Sequence, residues 1–122
     1  MGLTDVKMGV ANPASPRRRA VVKFLVDSGA AYTVLPQKVW KRLGLKPLET
    51  LEFDLADGTS VAREISEARF AFQGKQRTSP VVLGVGDDMP LLGVVTLETM
   101  GLVLNPLKRE LVPIRAVLAH VR

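Results

Sequence analysis

Asp27, Ser28 and Gly29 bring a carboxylate, a hydroxyl and a bare backbone together at the end of an apolar run, Val21-Val22-Lys23-Phe24-Leu25-Val26. A carboxylate can take a proton from water or return one to a leaving group. A neighbouring hydroxyl can donate to it or accept from it. The end of a core strand is a costly place for such a group unless it is hydrogen-bonded or paired. Gly29 admits close approach of another backbone. Ala30 keeps the corner small, and the apolar pattern resumes at Thr33-Val34-Leu35. Three residues of this kind also read as an Asp that opens a turn or caps a helix. The preceding run and the resumed strand favour chemistry.

The other reactive side chains offer less. Asp87-Asp88 is a single acidic pair, and hard cations draw on more oxygens than that. His120 is the lone histidine, so no Ser/His/Asp set can be assembled. Gly84 and Gly86 lack the Gly-Lys-Ser/Thr of a phosphate loop. With no cysteine, disulfides and thiolate metal sites are excluded. No metal and no cofactor is expected. Arg17-Arg18-Arg19 carries much of the formal net charge of +5. Between Pro13, Pro16 and the next strand it reads as a solvated loop. Readers of nucleic acid interleave aromatics with basic residues, and none stands nearby, so no nucleic-acid partner is expected.

The elements around the corner are short. The pattern predicts strands over residues 3–10, 20–26, 33–35, 48–55, 60–72, 76–85, 102–104 and 110–114, with a loop over 11–19. The strand over 20–26 is so apolar that burial on both faces is expected. Pro36 and Gly44 bracket a short helix. A second helix is expected over 94–100, with Gly101 as its stop. Asp57-Gly58 between alternating strands is a hairpin signal. Eight short strands and two short helices in 122 residues make one mainly β domain that closes as a small barrel or sandwich.

With the elements placed, Phe24-Leu25-Val26-Asp27-Ser28-Gly29-Ala30 resembles the active-site motif of aspartic proteases, especially the retroviral (retropepsin-like) type. Leu91-Leu92-Gly93 resembles their second motif, two apolar residues and a glycine opening the C-terminal helix. Ala56, Asp57, Gly58 and Thr59 fall where that family places the tip of its flap hairpin. The likeness covers roughly residues 20 to 113, with 115–122 as a tail.

The resemblance implies a closed acid-protease barrel, and peptide-bond hydrolysis by a water held between two carboxylates. Pepsin-like chains carry two Asp-Thr/Ser-Gly triplets and this chain has one. Asp27 should therefore meet Asp27 of a second copy in a symmetric homodimer, sharing one proton. Ser28 would bridge the two corners, and the flap would close over an extended peptide or protein substrate. Val94 stands where retroviral enzymes often have Arg or Asn, so the intersubunit ion pair of that Arg is not expected. The alternative is a dimeric peptide-binding module of the same fold with little or no turnover.

No basic region followed by an apolar segment opens the chain, and no stretch approaches the ~20 apolar residues of a membrane span. A cytoplasmic protein with no membrane partner is expected.

Overall fold

The structure is a computed structural model, and it describes residues 4–114. β1 (Asp5–Asn12) and β2 (Ser15–Val26) form an antiparallel hairpin, and β3 (Thr33–Leu35) leads into α1 (Gln37–Leu43). β4 (Glu49–Asp54), β5 (Ser60–Phe72) and β6 (Lys75–Leu83) form a meander. β7 (Leu91–Leu92) precedes α2 (Val94–Thr99), and the hairpin of β8 (Leu102–Asn105) and β9 (Glu110–Pro113) follows. The segment from 115 to 122, which the sequence suggests is a tail, lies outside the described residues.

The main sheet runs β1-β2-β7-β3-β6-β5-β4. β1 also pairs with β5 through Gly9↔Ala71, Val10↔Phe70 and Ala11↔Arg69, so six strands close into a ring. β4 hangs outside it on the first half of β5, with Glu49 opposite Ile65 and Asp54 opposite Ser60. Alternation decides what fills the interior. Met8, Val10, Phe24, Phe70, Val81, Leu83 and Leu92 point inward and are buried. The rings of Phe24 and Phe70 meet at 6.1 Å. α1 adds Leu43, and α2 adds Leu97 with Met100 beyond its end. Trp40 packs on this core and donates its indole N–H to Gly84 O at 2.8 Å.

Two expectations need correction. β2 is not buried on both faces: Val22, Phe24 and Val26 are buried, while Val21 is 74% exposed and Lys23 is exposed. The ring has one interior, so each strand has one dry face. Nor is 11–19 a loop. β1 runs to Asn12 and β2 starts at Ser15. Asn12 makes the reversal tight by accepting from Ala14 N–H at 2.9 Å and donating to Leu43 O at 2.9 Å. Residues 16–18 bulge out of the ladder between the pairs Ala11↔Arg19 and Asn12↔Ser15, as suits Pro16, which has no N–H for it.

Candidate active site

β2 and β7 lie parallel, with Leu25 opposite Leu91 and Val26 opposite Leu92. On the other flank of β7, Val34 of β3 pairs antiparallel with Leu91. The chain therefore leaves β2 at Val26, turns through residues 27–32, and returns on the far side of β7. Asp27 sits at the start of that crossing. Its N–H donates to Leu92 O at 3.1 Å, which extends the β2–β7 ladder by one rung. Its carboxylate Oδ1 accepts from Gly29 N–H at 2.9 Å, and its carbonyl accepts from Ala30 N–H at 3.1 Å. These bonds fix the corner in a turn without using the second carboxylate oxygen. Asp27 is half-buried, whereas Ser28 and Gly29 are exposed. A side chain on Gly29 would begin 3.3 Å from Asp27 Oδ1.

The second motif holds the corner from beneath. Ala30 O accepts from Val94 N–H and Ala31 O from Val95 N–H, both at 2.9 Å. The corner thus supplies partners for N–H groups that the first turn of α2 leaves free. Gly93 lies so close to the crossing that a Cβ there would stand 2.5 Å from Tyr32 C and 2.6 Å from Tyr32 O. Only glycine allows β7 to pass under the corner at that distance.

A chain of buried hydroxyls completes the support. Gly93 N–H donates to Thr33 Oγ1 at 2.9 Å, and Thr33 donates to Thr96 Oγ1 at 2.6 Å. Thr96 Oγ1 lies 3.0 Å from Ser79 Oγ, which donates to Pro80 O at 3.2 Å. With the proton of Thr96 directed at Ser79, every donor in this series has an acceptor. Thr33, Thr96 and Ser79 are all buried. Sequence reasoning missed this set. Only Thr33 carried a signal, as a hydroxyl residue opening the otherwise apolar β3, since β6 and α2 hold other polar residues beside Ser79 and Thr96.

The β4–β5 hairpin rises beside the corner. Ala56, Asp57, Gly58 and Thr59 are all exposed at its tip. Gly58 takes φ +89°. Asp57 Oδ1 accepts from Thr59 N–H at 2.9 Å and from Thr59 Oγ1 at 2.6 Å. Those two bonds hold the Asp57 carboxyl below its ordinary value of 3.8. Lower on the hairpin, Phe53 meets Tyr32 of the corner edge-to-face, with ring centroids 5.8 Å apart at 80°. Between hairpin and corner lies a cleft of 330 Å³, walled by Tyr32, Val34, Phe53, Val61, Met89 and Leu91, with Arg63 and Asp88 at its polar edge. Asp88 is also engaged locally, accepting from Val85 N–H at 2.9 Å. The structure thus gathers Asp27, Ser28, Gly29 and Ala30 above Leu91, Leu92 and Gly93. The tip residues 56–59 stand apart on the hairpin and do not line the cleft. Among the described residues, no helix is long and apolar enough to cross a membrane.

Known proteins share this fold. The aspartyl protease family matches residues 18–99. EIAV protease, solved with the inhibitor HBY-793, superposes with a TM-score of 0.60 at 14% identity, over 82% of this chain and 89% of its own. A retropepsin-like aspartic protease from Rickettsia conorii gives 0.56 at 20% identity, over 85% and 77%. The retroviral protease-like domain of Ddi1 from Leishmania major gives 0.64 at 14% identity, over 95% and 91%. A comparison with curated proteins gives no match.

At such identities the likeness concerns the fold, which is retropepsin-like. The family match spans well over half of the residues, and the chain belongs to the aspartyl protease family.

Proposed function

We infer that the chain is an aspartic endopeptidase that works as a homodimer, with Asp27 of each copy facing the other across a two-fold axis. The observation that carries this reading is the position of Asp27. Backbone bonds to Leu92 and Gly29 fix it at the β2–β7 crossing, half-exposed, in a chain that has one Asp-Ser-Gly corner. Two carboxylates within hydrogen-bond reach cannot both ionise cheaply, so the pair holds one proton and titrates as a unit. The ionised Asp27 takes a proton from a water held between the two. The protonated Asp27 polarises the scissile carbonyl, and a proton is later delivered to the leaving amine. Ser28, exposed in the single chain, is free to bridge the two corners.

The substrate is an extended peptide. It lies between the corner and the β4–β5 hairpin, which serves as a flap carrying Ala56 to Thr59. The apolar walls of the cleft receive its side chains. All 122 residues are read as one such domain.

A peptide-library digest tests the reading. The wild-type chain should cleave, and Asp27→Asn should lose about 10²–10⁴-fold of that rate, as removal of a general acid–base does. Sedimentation should still show the variant as a folded dimer. Peptide binding by both proteins without cleavage by either would favour the binding module instead.

A further inference from the structure

A second, larger concavity lies away from the corner. It spans 660 Å³ on the outer face of the ring, across β2, β1, β5 and β6, and shares no wall residue with the 330 Å³ cleft. The ladder registers define it. Ala11 of β1 is opposite Arg19 on one side and Arg69 on the other. In the next outward row, Gly9 lies between Val21 and Ala71. Because Met8, Val10 and Phe70 are buried inward, these residues point out. The result is a shelf of Gly9, Ala11 and Ala71 with an arginine on each flank, the two Cα atoms about 10 Å apart at ordinary strand spacing.

The two arginines make no ion pair with any other described residue. Among the described residues the one ion pair is Lys23–Asp5, at 3.7 Å. Among the described residues, neither Arg19 nor Arg69 has a carboxylate within ion-pair reach. Arg69 is oriented by its Nε–H, which donates to Gln76 Oε1 at 2.9 Å, and among the described residues its terminal nitrogens make no hydrogen bond. Two arginines flanking one small residue set like charges on either side of it and carry forked donors that match carboxylates. The floor is built from the small residues Gly9, Ala11 and Ala71, and Val21 is 74% exposed beside it. No aromatic residue lines the groove, so it lacks the stacking faces that nucleic-acid grooves use.

We propose that this groove is a docking site for an acidic, partly apolar segment of a protein partner, whose carboxylates are held by Arg19 and Arg69 while its backbone crosses Gly9 and Ala11. The net charge of +5 adds long-range attraction for such a segment. The site is independent of Asp27, and its occupancy is measured without any cleavage.

Fluorescence anisotropy with the full chain tests it, using a short labelled peptide of alternating glutamate and valine. Binding should weaken as salt rises. It should weaken about tenfold or more in both Arg19→Glu and Arg69→Glu, a change of the size expected when one charged fork is lost. Lys108→Glu, on the β8–β9 hairpin, reverses the same charge elsewhere and should change affinity less than twofold. Ala11→Glu sets a carboxylate between the two arginines, so it should block the peptide while raising the thermal midpoint. That second variant also covers the case in which an arginine substitution impairs folding. Equal weakening by Lys108→Glu, undiminished binding by Ala11→Glu, or no binding at all would overturn the proposal. So would stronger binding of inorganic phosphate or a single-stranded oligonucleotide than of the peptide.

Discussion

Thr33 Oγ1 and Thr96 Oγ1 lie 2.6 Å apart with no access to solvent, and Thr33 accepts from Gly93 N–H on its other side. One hydroxyl therefore ties the strand leaving the corner to the glycine beneath it and to α2.

Thr33→Val keeps the shape and removes both bonds. It strands the Gly93 N–H in the core, which costs about 1–3 kcal/mol for an unsatisfied buried donor. Urea unfolding should show that loss. Thr33→Ser, which keeps the hydroxyl, should recover most of it. Peptide cleavage should fall further in Thr33→Val than in Thr33→Ser, because the corner that carries Asp27 is no longer tied to Gly93.

Gly93→Ala places a methyl group 2.5 Å from Tyr32 C. The obstacle is backbone, so it cannot swing aside as a side chain would. Overpacking of this kind costs about 1–3 kcal/mol or more. A lowered thermal midpoint and lost cleavage should appear together. Gly74→Ala provides the comparison: it has positive φ, at +81°, with open space around it, whereas Gly93 is extended at φ −97° and crowded by backbone. It should be strained without disturbing the corner.

Tyr32 and Phe53 join the corner to the hairpin through a single aromatic contact. A double-mutant cycle with Tyr32→Leu and Phe53→Leu should give a coupling of about 0.5–1.5 kcal/mol. Since the pair also walls the cleft, both variants should raise KM for peptides more than they lower kcat.

Asp57 gives a pH prediction. Its carboxyl is held below 3.8 by the bonds from Thr59. A depressed carboxyl stabilises the folded form above its unfolded value, and that contribution is lost as pH falls through the folded one. The hairpin tip therefore keeps these bonds until the pH falls below the ordinary carboxylate value. A carboxyl NMR titration should place Asp57 below its ordinary value, and Thr59→Val should move it back up.

Much of this was legible in the sequence because local chemistry dictated it. Pro36 and Gly44 bracket α1, and Gly44 adopts φ +71° with its N–H bonded to Lys41 O. Gly101 follows α2 at φ +68°. The Asp57-Gly58 hairpin and β5 at residues 60–72 also fall where turn chemistry and alternation place them. Long-range relations were not legible in the same way. Val21 to Val26 looks dry on both faces, yet ring closure through β1 and β5 leaves β2 with one interior face. The prolines at 13 and 16 suggest a loop, but Asn12 supplies the turn and a bulge absorbs Pro16. The partnership of Thr33, Thr96 and Ser79 spans 63 residues of chain between its first two members. No window of sequence contains it. The Asp-Ser-Gly corner was visible from residue types, while its support by Gly93 depended on the parallel pairing of β2 with β7.

The central claim, that one site is built from Asp27 of two copies, is tested most directly by mixing subunits. Asp27→Asn chains are added to an equal amount of wild-type chains and allowed to exchange, and peptide cleavage is measured. If the site needs both carboxylates, randomly paired subunits leave about half of the original activity, because mixed dimers are silent. Further Asp27→Asn chain should drive it toward zero. Cleavage unchanged by any excess of Asp27→Asn would mean that a single chain carries its own site, and would contradict the account.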